Sequence, residues 1–268
     1  MTSLSISRAW DETKADMAKD GRLFTRVALA LIGFPTMIST LVAPAGISSD
    51  GTQPLWVDLV TLAFMLAALI GQLALVRLAL KPPMTVGEAI AHGAKRMPVY
   101  FVSVLVLVLI LLIVAVPIVM VLSALGVPLD TGITEVTPGI WLAAMAMVVA
   151  MVFMGVRMIM TTPVACAEHV GPLSIIRRSW DLTRGHWLQL LGFLVGIVIA
   201  AAVVLTIIGI LTGTIVNLAL GPIDPMSASA LVVGLVQGAF NAAFSALFAT
   251  MLARIYVQLS AHPSADPA

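Results

Sequence analysis

The sequence predicts an all-α, polytopic membrane protein, and three observations carry the prediction: composition, six long apolar stretches and one-sided basic residues. Of the 268 residues, 60% are hydrophobic and 10% are charged. Ordinary soluble domains have roughly 45–50% and about 25%. A soluble core of this chain length cannot bury so many apolar side chains, so lipid is the expected solvent for most of them.

Six stretches are long enough to cross a bilayer as helices, since a hydrocarbon core about 30 Å thick needs roughly 20 apolar residues. We expect spans at about 27–46, 56–80, 98–126, 139–162, 188–219 and 228–257. The fifth stretch would reach about 48 Å at 1.5 Å per residue. It is therefore expected to tilt, bend or project from the bilayer.

The connecting segments on the two sides of these spans differ in charge. Segments 47–55, 127–138 and 220–227 hold Asp50, Asp130, Glu135 and Asp224 but no Lys or Arg, so all 14 basic residues fall on the other side. Because Lys and Arg concentrate in cytoplasmic loops, both termini are predicted to be cytoplasmic, in a bacterial inner (plasma) membrane. A cleaved signal peptide is disfavoured, since 26 residues with four acids precede the first stretch.

An internal repeat relates the start of the chain to its last third. Residues 8–14 match residues 178–184 at a constant offset of 170, which places Trp10 on Trp180 and Asp11 on Asp181. Steps of four, three and four put Ile6, Trp10, Thr13 and Met17 on one helical face, and likewise Ile176, Trp180, Thr183 and Trp187. Both segments are predicted to be amphipathic helices on the membrane surface.

A weaker third copy at residues 85–97 extends this pattern to a threefold parallel repeat. Each unit is predicted to contain one interfacial helix and two membrane helices. Repeat 1 covers about 1–80, repeat 2 about 84–162 and repeat 3 about 170–258, within a single membrane domain 1–268 whose residues 259–268 form a disordered cytoplasmic tail. One class of secondary transporters has inverted repeats, so parallel repeats count modestly against transport.

The start Gly171-Pro172-Leu173, the segment Arg178-Ser179-Trp180-Asp181-Leu182-Thr183-Arg184-Gly185 and the long apolar run after it resemble a bacterial family. It comprises the membrane domain of some glycerophosphoryl diester phosphodiesterases and stand-alone proteins of that type. The resemblance implies six membrane helices and, where the domain is fused, proximity to glycerophospholipid breakdown. It implies no activity for the membrane part alone, and this chain has neither the length nor the residues of the soluble catalytic barrel.

Motifs of known chemistry are missing from the sequence. There is no GxSxG, SxxK or P-loop, and none of the four histidines has metal-ligand spacing. The single cysteine, Cys166, excludes an internal disulfide and is interpreted as a small apolar filler. We therefore expect that the protein is not an enzyme and that it has no cofactor, no metal and no nucleic-acid partner. An intramembrane enzyme is the minor alternative.

The most specific feature is an arginine near the end of each even-numbered span, namely Arg77, Arg157 and Arg254. Long basic side chains near helix ends reach to the interface without further function. The functional alternative is that these arginines hold anionic lipid phosphates, or the acids Asp11 and Asp181. Arg8 and Arg178 are further lipid-binding candidates, each three residues before one of those aspartates and able to pair with it.

Polar and small residues inside the spans leave two further alternatives. Gln237 and Asn241 are interpreted as interhelical hydrogen-bond partners or as the lining of a substrate path, and glycines four apart as internal packing or a dimer face. Those glycines are Gly192/Gly196, Gly209/Gly213 and Gly234/Gly238. Our first hypothesis is a non-catalytic protein that binds or organises anionic phospholipids. Its partners are membrane lipids, and a homo-oligomer or a membrane-protein partner is left open. The alternative is a transporter or exporter of a small amphiphile.

Overall fold

The structure, a computed structural model, describes residues 4–42, 55–80, 84–124, 138–224 and 226–261. All regular structure in these ranges is helical. The helices are α1 (Ile6–Ala28), α2 (Phe34–Val42), α3 (Leu55–Leu80), α4 (Val86–Ala124), α5 (Pro138–Met158), α6 (Thr161–Ala167), α7 (Pro172–Thr183), α8 (Trp187–Leu220) and α9 (Ala228–Ser260), with a π-helical segment Leu29–Gly33 joining α1 to α2.

Six helical stretches are long and apolar enough to cross a membrane, as predicted. They are Ile6–Leu41, Leu55–Leu80, Val86–Ile113, Met145–Ala167, Trp187–Leu220 and Ala228–Ser260. The predicted loop acids Asp50, Asp130 and Glu135 and most of the predicted disordered tail, residues 262–268, lie outside the described residues.

The predicted interfacial segments differ from the expectation in two of three cases. The first segment is the start of α1, which runs on into the first span, and the second is the start of α4, which continues through Pro98. Of the three predicted segments, only that of the last repeat, α7, is a separate helix. Gly185, at φ +87°, has the left-handed backbone that separates α7 from α8.

Pro35 accounts for the π-helical segment within the first span. It has no N–H to donate to the preceding turn, and the widened turn places the Phe34 N–H on the Leu29 carbonyl. The segment ends in Gly33, which packs against α9: a Cβ on Gly33 would lie 2.9 Å from the Gly238 carbonyl oxygen. The two backbones therefore touch at this point.

The most central helix is α9, which packs against α1, α2, α3 and α8. Its buried side chains meet those of α3 and α6, including Leu73, Cys166 and Ala253. This buried core lies at the end of the bundle that holds Arg77, Arg157 and Arg254, which we call the basic end. Much of α8 exposes apolar side chains, as expected for a surface that faces lipid.

Of the two interpretations of the glycines, internal packing is found on α9 but not on α8, where a dimer face stays a prediction. A Cβ on Gly234 would lie 2.9 Å from the Met37 carbonyl oxygen, so α9 does approach the first span closely. A Cβ on Gly192, Gly196, Gly209 or Gly213 would meet no atom within 4 Å. Internal packing is therefore wrong for the four α8 glycines, because no helix of the described chain lies against them.

A candidate anion site at the basic end

The site is built around the end of the short helix α6, where the carbonyl of Cys166 is a focus for basic side chains. Its oxygen is 3.3 Å from Arg77 Nη1, which donates to it, and 3.2 Å from His92 Nε2. The last carbonyls of a helix lack intrahelical donors and carry partial negative charge. The Cys166 thiol is buried and donates to the Leu73 carbonyl, which fixes α6 against α3.

Four basic side chains surround this point: Arg77 from α3, His92 and Arg96 from α4, and His169 from the segment after α6. The rings of His92 and His169 are 6.4 Å apart in an edge-to-face arrangement. Arg77, Arg96 and His169 all lie close enough to His92 to act on it electrostatically. We call these four residues the cationic cluster, after the permanent charges of its two arginines.

Arg77 holds an unused donor within the cationic cluster. Its Nε is buried and has no hydrogen-bond partner among the residues that the structure describes. A buried donor without a partner is costly, and a guanidinium Nε–H beside other positive groups is suited to an anion oxygen. The Arg77–Cys166 hydrogen bond uses Nη1 and leaves this Nε–H unpaired, as the Nε of Arg157 also is among the described residues.

The acid beside the cluster is engaged elsewhere. Glu168 Oε1 accepts hydrogen bonds from Arg178 Nε at 3.1 Å and from the Tyr256 hydroxyl at 2.9 Å. These bonds tie the carboxylate to α7 and α9. Arg178 is therefore paired with Glu168, and the expected Arg178–Asp181 pair is wrong.

Arg157 is clamped to α7. Its Nη1 donates to the Trp180 carbonyl at 3.5 Å, and its guanidinium lies 4.7 Å from the Trp180 ring centroid and 5.5 Å from that of Phe153. Ser179 Oγ donates in turn to the Arg157 carbonyl at 2.7 Å. These contacts, including the cation–π pairs, join the end of α5 to α7.

Arg254 has a carboxylate partner. Its Nε lies 2.6 Å from Asp16 Oδ2, and its Nη2 contacts the same oxygen. An aspartate of the first predicted interfacial segment does bind an end-of-span arginine, but it is Asp16 and neither Asp11 nor Asp181. Asp11 instead pairs with Lys14 at 2.8 Å. The geometry thus favours a structural role for Arg254.

At the start of α1, Thr13 of the predicted face is buried, and Ile6 and Met17 of that face pack partly buried against the core. Ala9 and Thr13 are buried, while Trp10 is 42% exposed. Arg8 Nε bonds Glu12 at 2.9 Å, so the expected Arg8–Asp11 pair is wrong. The residues at offset 170 from Ala9 and Thr13 are Ser179 and Thr183, and both are buried in α7.

The predicted polar-path residues lie away from the cationic cluster, on α9. Gln237 Oε1 accepts a hydrogen bond from Thr40 Oγ1 at 3.3 Å, which links α9 to α2. Asn241 lies one turn further along α9 and is half-buried. A substrate path along these two residues stays a prediction.

Sequence reasoning missed three members of the cluster, His92, Arg96 and His169. His92 and Arg96 are four apart and so share a helical face, which was the available signal on α4. Nothing in the sequence pairs them with the segment after α6, about seventy residues later. In the part of the chain described, no three His, Cys, Asp or Glu side chains group as metal ligands.

Fold and site together define a helical protein with six helices long and apolar enough to cross a membrane and a cationic cluster at one end. The chain belongs to the family described as Domain of unknown function (DUF7847), whose sequence model matches residues 18–259. Neither a curated protein nor a solved structure matches the chain. The resemblance to the phosphodiesterase membrane domain stays a prediction.

Proposed function

We propose that the protein is a non-catalytic, multi-pass protein of the bacterial inner membrane that binds anionic phospholipids at its basic end, with both termini in the cytoplasm. The observation that carries this proposal is the cationic cluster with the unused Nε of Arg77. Arginine forms short, charge-assisted hydrogen bonds with phosphate oxygens. The cluster therefore has the chemistry that a phospholipid headgroup requires.

The position of the cluster favours a lipid phosphate. Arg77 lies three residues before the end of α3, an apolar helix long enough to span the bilayer. The end of such a helix lies at headgroup depth. Basic pockets between membrane helices on the cytoplasmic side are a recurrent type of anionic lipid site.

Transport of a small amphiphile is the alternative function. It would require a polar cavity that reaches the midplane near Asn241. Gln237 is engaged with Thr40, and Gln72 Nε2 donates to Ser245 Oγ at 3.4 Å. These hydrogen bonds suit helix packing and make lipid binding the better supported proposal.

Native mass spectrometry from mild detergent tests the proposal, with phosphatidylglycerol added as the probe. The variant Arg77→Gln/Arg96→Gln removes two charges from the cluster. Lys19→Gln/Arg22→Gln is the matched control, since it removes two exposed charges from α1. Arg157 and Arg254 are left intact because their contacts hold helices together.

We expect the wild type and the control to retain bound phosphatidylglycerol, and the cluster variant to lose it. Equal retention by both double variants would reject the cluster as the lipid site. Thermal unfolding of each variant checks that a loss of lipid does not follow from a loss of fold.

A further inference from the structure

A groove of about 710 Å³ lies between α8 and α9 and ends against the start of α1. Its lining runs from Gly192 to Val204 on α8 and from Phe240 to Met251 on α9, and Ile6, Ser7 and Trp10 of α1 complete it. Only Ser7 and Trp10 bring a hydrogen-bonding side chain to it, and both belong to α1. The groove is thus almost wholly apolar, and its two hydrogen-bonding side chains both stand at the end formed by α1.

The two long walls of the groove leave an open, smooth channel. On α8, a Cβ on Gly192 or Gly196 would meet no atom within 4 Å. On α9, the rings of Phe240 and Phe244 stack with their centroids 6.1 Å apart. The α8 side of the groove therefore includes glycines without side chains, and the α9 side carries stacked aromatic rings. This arrangement suits a thin apolar chain that lies along the helices.

The length of the groove matches one leaflet. On α8 the lining runs from Gly192 to Val204, which is about 18 Å at 1.5 Å per residue. Half of a hydrocarbon core about 30 Å thick is about 15 Å. The groove therefore extends from the basic end to about the middle of the bilayer and has the reach of one acyl chain.

We propose that this groove holds one acyl chain of a phospholipid from the leaflet at the basic end, with the headgroup beside the start of α1. Ser7 and the Trp10 indole offer donors at that end, whereas the neighbouring Arg8 is paired with Glu12. A lipid has the same order of parts, with a charged head, a polar junction and an apolar chain. The site shares no residue with the cationic cluster and goes beyond the function proposed there.

A helix from a second copy is a poorer fit. An α-helix with its side chains is about 10–12 Å across and a span runs the full bilayer thickness. Ile6, Ser7 and Trp10 close the groove at the basic end, where such a helix would have to continue. An acyl chain does not have to pass these three residues, because it joins its headgroup at the basic end of the groove.

The test uses Trp10 as the reporter. Phosphatidylglycerol brominated on one acyl chain is titrated into the protein in mild detergent, because bromine quenches tryptophan fluorescence at contact. The difference between wild type and Trp10→Phe isolates the Trp10 signal from the other tryptophans. Gly196→Leu fills the groove, and Gly209→Leu is the matched control on the same helix, outside the groove but equally open.

We expect saturable quenching of Trp10 in the wild type and in Gly209→Leu. In Gly196→Leu the apparent affinity should fall about tenfold, equivalent to roughly 1.4 kcal/mol. Trp10 of the Arg77→Gln/Arg96→Gln variant should be quenched as in the wild type. A negative result for lipid binding at the cationic cluster can thus be told apart from a negative result for the groove. Equal quenching of Trp10 in Gly196→Leu and Gly209→Leu would overturn the proposal. It would also be overturned if light scattering showed a wild-type dimer that Gly196→Leu dissociates and Gly209→Leu does not.

Discussion

Helices α8 and α9 are nearly equal in length and both are apolar, yet their surroundings are opposite. α9 buries fifteen residues against its neighbours, whereas α8 buries Leu190, Phe193 and Val216. Both carry glycines four residues apart. Small residues at that spacing permit close contact, but contact forms only where a second helix lies opposite, as the backbone of Gly33 lies opposite Gly238.

Gly238→Ala is expected to have the largest effect on stability. The added Cβ would lie against the Gly33 carbonyl oxygen, which is backbone and cannot rotate away. Overpacking of this kind costs about 1–3 kcal/mol. Thermal unfolding in detergent should show a clear fall in the transition temperature. An unchanged transition would mean that α9 and the first span are not in backbone contact.

Arg254→Gln is expected to come second, because it leaves Asp16 without its partner. The two side chains are only 27% and 24% exposed. We therefore expect the free energy of unfolding to fall by about 1–2 kcal/mol, a value between those for exposed and for buried ion pairs. A double-mutant cycle with Asp16→Asn should give a coupling energy that exceeds the usual additivity error. Additive single effects would show that α9 does not hold α1 through this pair.

The apolar pattern was sufficient to predict the helical fold, because length and hydropathy are local properties of the chain. The ends of the interfacial segments were not predictable in this way: nothing between Met17 and Ala28 stops α1, whereas Gly185 does stop α7. The proposed threefold repeat stays a prediction. Its offset of 170 equates Asp11 with Asp181, but tertiary packing brings Arg254 to Asp16.

The cationic cluster was only partly predictable for a related reason. Arg77 was singled out by its place near the end of a span. Its partners come from the start of α4 and from the segment after α6, and only the packing of α6 against α3 and α4 brings them together. The groove was also missed, since the sequence marks Gly192 and Gly196 as packing residues but does not show that the opposite position is empty.

Gly213→Ala is expected to have the smallest effect, and of opposite sign to Gly238→Ala. The added Cβ would meet no atom within 4 Å, so it causes no overpacking. Replacing a helical glycine by alanine stabilises the helix by up to about 1 kcal/mol in water. The gain is smaller in a bilayer, which already favours the helix. Thermal unfolding should show an equal or slightly raised transition temperature. A fall comparable to that of Gly238→Ala would place another helix against α8, and light scattering would then show whether it comes from a second copy.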